Sequence, residues 1–525
     1  MTPWRRGSAL RVGLAVAVVA VVATGCAVLP PPGPRAESHA IRDGATTFLA
    51  RAVGASASAS AAGASGLRVL GGARFALDAR IAIARAAEKS LDVQYYLLKD
   101  DSVGMRLLVE LRAAAARGVR VRLLVDDLTN AGQDEVFAGF AAHPGIEVRL
   151  FNPSASRAAT PASRLLLSIG EFGRLDHRMH NKLMVADNSV AVAGGRNMAD
   201  EYFMRSADAN FIDIDLLAAG AVVAGLSDAF DRYWNSAQVR PLGEVVRTPR
   251  DVGLGRYDGA ATRALDASVP ADRDALGRTA VGAQLAAGEL ALTWGRAQVF
   301  VDDPGKIERP SADAFRGSVT EAALGVFGSA HAEVDIVSPY FIPNDHGLAV
   351  IETAMRRGAR IRLVTNSLAA TDEPLAYAGY ERRRLALLRA GVEIDELAAD
   401  VPVRSGRFGP FGASTSRLHA KLAVVDKRRL FIGSMNLDHR SAVINTEIAV
   451  LVDDDELVRE LVSLMRGDRT ALGYRLRLAD DGVGVRWLET MPDGTTVVHD
   501  RTPGEVWWRR LRNFLLLPLV GDSEL

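Results

Sequence analysis

The chain has 525 residues, too many for one ordinary domain, and 48% of them are hydrophobic, enough for a sizeable core. Lys+Arg and Asp+Glu are both 63, so the formal net charge is zero and the totals lack the basic footprint a nucleic-acid partner usually leaves. A single cysteine, Cys26, excludes a disulfide framework or a cysteine-built metal site within one chain.

The first segment reads as an address. Arg5, Arg6 and Arg11 precede and lead into the apolar run VGLAVAVVAVVATG, the charged and apolar parts of an export signal over residues 1–26. Ala23 to Cys26 spell ATGC, which resembles a bacterial lipobox, so Cys26 is the expected lipidation site. The alternative is an uncleaved transmembrane anchor, because Val12 to Leu29 form an uncharged stretch of 18 residues. Both readings place the bulk of the chain in the cell envelope, attached to a membrane and outside the cytoplasm. Residues 27–66, rich in Pro and then in Ala and Ser, read as a tether.

Beyond it the elements alternate. Helical spacing over 75–90 leads to a β-branched and aromatic strand at 91–98, an amphipathic helix over 104–118 stopped by Gly118, and strands at 119–127 and 145–153. The order then recurs: a strand at 333–343, a helix over 347–358, a strand from 359, a helix over 380–391 and a strand from 392. This predicts an α/β fold of two duplicated α/β/α halves, at 67–240 and 291–470. Residues 241–290 read as a connector rich in Ala, Gly and Arg, and 471–525 as a C-terminal extension.

The duplication includes a chemical motif. HNKLMVADNSVAVAGGRN begins at His180, and HAKLAVVDKRRLFIGSMN begins 239 residues later at His419. His180 and Lys182 are two apart, so on a strand they share a face; His419 and Lys421 do the same. Asp187 and Asp426 complete the H-x-K-x4-D pattern, but their odd offset and Asp-rich turn suit fixing a hairpin better than direct chemistry. Gly194-Gly195 and Gly433-Ser434 leave room for close backbone approach. Asn197 and Asn436 follow, with amides that can donate to a phosphate oxygen. Asp213 and Glu447 are acids suited to holding the far ring nitrogen of a histidine. Only six of the 63 basic residues are lysines, and two of those six occupy matching motif positions, so a compact ammonium is wanted there rather than a guanidinium fork.

This pattern suits phosphodiester transfer. A neutral imidazole can attack phosphorus to form a covalent phosphohistidine, and a second histidine can protonate the leaving alkoxide and then activate the incoming hydroxyl. Paired lysines and asparagines would stabilise the charge growing on the phosphate oxygens. The scheme calls for no metal and no cofactor.

The residues resemble the phospholipase D superfamily, whose signature is H-x-K-x4-D followed by G-[GST]-x-N, normally twice. The resemblance spans roughly 67–520 and implies two halves about a pseudo-two-fold axis with one site at their interface. It implies that His180 and His419 are nucleophile and general acid/base, with Lys182, Lys421, Asn197 and Asn436 on the phosphate and Asp213 and Glu447 orienting the histidines. LDVQYY, RGVRVRLLVDD, IEVRLFNP, RMHNK, GGRNMADEYF and DDPGK look like the cardiolipin synthase C-type branch, in which Gly195 likewise replaces the usual hydroxyl residue. That branch implies phosphatidyl transfer on phospholipids, with phosphatidylglycerol and phosphatidylethanolamine as candidate substrates. The alternatives are a phospholipase D using water, a nuclease, and an inert lipid-binding lipoprotein. Zero net charge and membrane attachment disfavour the nuclease, and two intact motifs disfavour the inert protein. Tyr95, Tyr96 and Tyr340 end the first strand of each half and either flank the site or belong to the core. Trp507, Trp508, Arg509, Arg510 and Arg512 lie in a leucine-rich C-terminal stretch, read either as a membrane-interface element or as packing on the second half.

Overall fold

The structure, a computed structural model, describes residue 29 and residues 31–57, 63–266, 268–400, 415–466, 473–491 and 493–504. Cys26, the export signal and the Trp/Arg/Leu stretch at 505–519 lie outside the described residues.

One sheet of 18 strands runs through both halves. In the first half the parallel strands Ser90–Tyr95, Arg120–Asp126 and Ile146–Phe151 lie side by side. The motif hairpin Lys182–Ala186 and Val190–Gly194 adds antiparallel to Ser90–Tyr95, followed by Asp215–Gly220 and Ser65–Leu70. The second half repeats this with Glu333–Val337, Arg360–Asn366 and Glu393–Leu397, the hairpin Leu422–Val425 and Arg429–Gly433, then Ile448–Asp453 and Thr293–Val301. The halves join where Ser65–Leu67 pair antiparallel with Thr293–Gly295. Corresponding strands therefore meet at the join, the arrangement a two-fold relation between the halves produces.

The central strands are buried on both faces, which is why the LLV run of Arg120–Asp126 replaces strict alternation. Helices supply the covering layers. Ser102–Ala116 starts where the Asp101 side chain accepts the Gly104 amide at 3.0 Å and stops before Gly118, whose φ of +96° suits glycine alone. Charge is buried with its partner: Arg122 donates to Asp92 and Asp231 at 2.7–2.8 Å. Such pairs add little net stability, but removing one partner costs about 3–5 kcal/mol.

Two stretches depart from expectation. Much of 27–66 is folded onto the first half. Helix Phe48–Ser56 buries Leu49, Ala52 and Val53, and the Ala40 amide donates to Asp231 at 2.8 Å. The helix forms because Leu49, Ala52 and Val53 make an apolar face inside an Ala/Ser-rich stretch that otherwise reads as linker. The connector is structured too: helices Arg250–Ala261 and Val281–Ala286 bury Tyr257, Val281 and Leu285. The extension adds Gly473–Leu478, Val485–Thr490 and Thr496–His499 to the outer edge of the second half, beside Glu393–Leu397. No helix among the described residues is long and apolar enough to cross a membrane.

Candidate active site

Each motif histidine stands just ahead of its hairpin and is held by the opposite half. The His180 amide donates to the Thr446 carbonyl at 2.9 Å, and the Thr446 amide donates to the Arg178 carbonyl at 2.9 Å. The next residue, Glu447, thereby reaches His180: Nδ1 lies 2.9 and 3.1 Å from its two carboxylate oxygens. The mirror arrangement serves His419. Ala209–Ile212 pair parallel with Thr415–Leu418, bringing Asp213 Oδ2 within 2.6 Å of His419 Nδ1. The acids are thus exchanged between the halves. The sequence placed Asp213 and Glu447 as orienting acids without saying which histidine each would hold.

The surroundings favour neutral imidazoles. Burial, joined by the two lysines, pushes His180 down to about 4 and His419 to about 3, against the pull of their acids. Burial also pushes Asp213 upward, but His419, Lys421 and Arg196 outweigh it and bring it to about 2. Burial works against ionised Glu447 too, and His180, Lys182 and Ser434 hold it below the ordinary glutamate range. With an ionised acid on Nδ1, that nitrogen carries the proton and Nε2 keeps its lone pair. Burial holds Lys182 well below its ordinary value and brings Lys421 to about 8. Each lysine bends back to its own histidine: Lys182 Nζ donates to the His180 carbonyl at 2.6 Å, and Lys421 Nζ to the His419 carbonyl at 2.5 Å. Lys421 adds to the depression of Lys182, so the two lysines share one electrostatic site that an arriving anion would relieve.

The asparagines are close by. Asn197 is buried and its Oδ1 accepts the Leu97 amide at 3.3 Å. Asn436 is buried and its Oδ1 has no partner among the described residues. Tyr96 packs edge-on to His180 at 4.9 Å, with Lys182 Nζ 4.9 Å from its ring centre. Tyr95 belongs to the core, accepting from Arg80 Nε at 2.9 Å. Tyr340 is half-buried, its hydroxyl pushed upward by burial and by Asp372.

Asp187 and Asp426 are not brought to this site. Asp187 accepts the Glu88, Lys89 and Ser90 amides at 2.8–3.0 Å, and Asp426 accepts those of His331, Ala332 and Glu333 at 2.8–3.2 Å. Both sit at positive φ in the hairpin turn, where a short acceptor side chain satisfies amides leading into the neighbouring strand. They complete the catalytic motif in sequence but act on the hairpin, as their odd offset from the histidines suggested.

The motif hydroxyl Ser434 and several residues the motifs do not name complete the site. Ser434 Oγ and Ser441 Oγ donate to the two oxygens of Glu447 at 2.5 and 2.8 Å. Lys306, wholly buried, donates to Asp302 at 2.7 Å and to the Ser441 carbonyl at 2.8 Å, while Asp302 accepts the Glu447 amide at 2.9 Å. Lys306 is another of the six lysines, so lysine scarcity itself was a signal for it. Tyr202 and Phe211 wall His419, at 5.0 and 5.1 Å between ring centres.

A duplicated α/β sheet that brings two H-x-K-x4-D motifs together at one centre defines the phospholipase D-like class. The chain belongs to the family described as "Cardiolipin synthase, PLD-like domain", whose model matches residues 81–234 and 324–469. It is 36% identical over 439 residues to cardiolipin synthase C of Escherichia coli K12, covering 83% of this chain and 91% of that protein. An uncharacterised protein of Helicobacter pylori is 32% identical over 392 residues, covering 74% of this chain and 76% of its own. Among solved structures, phosphatidylserine synthase of Haemophilus influenzae shares the fold. Its TM-score is 0.54 at 13% identity, over 88% of this chain and 95% of that one.

Proposed function

We propose that the protein is a membrane-attached phosphatidyltransferase that makes cardiolipin. The observation that carries this reading is the pair of buried, neutral imidazoles, each with its Nδ1 held by an acid from the opposite half. The likeness to cardiolipin synthase C over most of both chains supports the lipid assignment. Phosphatidylglycerol and phosphatidylethanolamine are the proposed substrates.

In the first step, Nε2 of His180 attacks phosphorus and the bond to the leaving alkoxide breaks. His419, protonated once the phosphodiester anion has entered, gives its proton to that alkoxide. In the second step, His419 takes the proton of the incoming lipid hydroxyl, whose oxygen displaces His180. The new phosphodiester leaves and both imidazoles return to their starting state.

The assignment of His180 as nucleophile rests on hydrogen-bond partners. Glu447 already accepts two serine hydroxyls, so it orients His180 with diminished charge. Among the described residues, Asp213 holds His419 through a 2.6 Å bond and accepts one further side-chain bond, from the Ile214 amide at 2.8 Å, which suits stabilising an imidazolium. Lys182, Lys421, Asn197 and Asn436 are proposed to hold the phosphate oxygens. Attachment through lipidated Cys26, with the catalytic halves outside the cytoplasm, is part of the same proposal.

The test incubates the purified protein with labelled phosphatidylglycerol, with and without phosphatidylethanolamine, and separates the lipids. Labelled cardiolipin is expected. Phosphatidic acid without cardiolipin would sink the transferase reading in favour of hydrolysis.

A further inference from the structure

We infer that the segment running into the first motif, residues 161–176, is the surface that rests on the lipid bilayer and opens the catalytic centre toward it. The inference builds on the lipid substrate proposed above. Leu166, Leu167 and Phe172 are 71%, 49% and 52% exposed, three large apolar side chains within seven residues. They are not the tip of a floppy loop. Helix Pro161–Leu166 opens with a capping box between Thr160 and Ser163. Arg164, wholly buried, donates to Asp127 at 2.9 Å and Asp134 at 3.0 Å, pinning one face of the helix inward. Leu166, two positions on, is thereby turned outward, and Leu167 follows it as the exposed C-cap residue.

Helix Phe172–Leu175 is pinned in the same way, with Leu175 buried and Phe172 outside. The next residues lead directly to His180 and are braced against the second half. Asp176 accepts from Arg440 at 2.9–3.1 Å, and His177 Nδ1 meets the Ile307 carbonyl. An anchored frame that holds three large apolar groups in water, a few residues from a buried centre acting on lipids, fits insertion into the headgroup–acyl boundary. The occupant is a bilayer surface. Among the described residues, a second pair of adjacent exposed apolar side chains, Val497 and Val498, lies on the outermost strand Thr496–His499, at the far edge of the second half from both motif hairpins.

Two measurements on the full-length protein test the inference. The first compares the triple variant Leu166→Asp, Leu167→Asp, Phe172→Asp with the parent on phosphatidylglycerol/phosphatidylethanolamine vesicles and on the water-soluble diester bis(4-nitrophenyl) phosphate. Turnover of bilayer lipid is expected to fall at least about tenfold, with the soluble diester within about twofold. The second reconstitutes Phe172→Trp in bilayers containing brominated acyl chains, and the added emission is expected to be quenched. The control Val497→Asp, Val498→Asp should keep both rates. A bilayer rate within twofold of the parent overturns the inference. So do an equal fall on both substrates, an equal loss in the control, and an unquenched Phe172→Trp emission. Product identity is scored separately: phosphatidic acid in place of cardiolipin sinks the transferase reading and leaves the bilayer contact standing.

Discussion

The two halves solve one problem with different side chains. In the first, glycine makes room for a short acid: a Cβ on Gly195 would collide with Asp213 Oδ1. Arg196, paired with Asp215 at 3.0 Å, braces the backbone carbonyl of Asp213. In the second, the matching position is Ser434, whose hydroxyl donates to the longer Glu447, and the brace is the buried Lys306–Asp302 pair. Strand pairing across the halves places both acids, and local side chains then set how tightly each is held. A duplicated fold can thus give two histidines the same partner geometry and different acid strength, which two-step transfer requires.

The largest effect should come from removing either histidine. His180→Ala and His419→Ala are each expected to cut phosphatidyl transfer by about 10⁴-fold or more, measured as labelled-lipid turnover. Comparable loss in both would show that the halves are equally necessary; activity near the parent in either would break the comparison. Next come the exchanged acids. Asp213→Asn and Glu447→Gln remove the charge that fixes the Nδ1–H tautomer, and should lower kcat by about 10²–10⁴. If Asp213→Asn lowers the pH needed to protonate His419 and Glu447→Gln does not, the asymmetry is sharpened.

Steric exchange should do less. Gly195→Ser must displace Asp213, and misplacement on the ångström scale costs about 10²-fold. Ser434→Gly removes one of two hydroxyls on Glu447 and should cost about tenfold in kcat with KM little changed. Equal losses would say that the two supports are interchangeable.

Much of this was legible in the sequence. The H-x-K pairs, the asparagines, the two acids and the repeated strand–helix order all lie where spacing put them, because local periodicity and motif distance are short-range properties. The exchange of acids was not legible, since Asp213 lies only 33 residues after His180, and sequence proximity alone would pair it with its own motif. It depends on Ala209–Ile212 pairing with Thr415–Leu418, a contact between chain positions more than 200 residues apart. The packing of helix Phe48–Ser56 was hidden for another reason: Ala and Ser serve a linker and a close-packed helix alike. Hydroxyls such as Ser441 carry no signal in a single sequence, because serine is common on surfaces.

Smaller effects remain. Asp187→Ala should cost about 3 kcal/mol of stability by stranding three backbone amides, and Asp426→Ala less, because its carboxylate is more exposed. Urea midpoints should fall while the folded fraction keeps turnover within a few-fold, as a hairpin role requires. The smallest effect is the pH slope of stability. Folded His180 and His419 titrate at about 4 and 3, below the ordinary 6.5. Between those values the unfolded chain binds protons that the folded chain does not, so stability rises with pH. This contribution is complete above about 6.5 and is lost as pH falls toward the folded values. The urea midpoint should drop from pH 7 to pH 5, and the drop should shrink in the double His→Ala variant.

The central claim is that His180 attacks phosphorus while the opposite half holds it. Rapid quenching of the enzyme with labelled phosphatidylglycerol, followed by peptide mass spectrometry under basic conditions, reads this directly. The account predicts a phosphatidyl adduct on the peptide carrying His180, absent in His180→Ala and sharply reduced in Glu447→Gln. An adduct on the His419 peptide, or turnover with no adduct on either histidine, would contradict it.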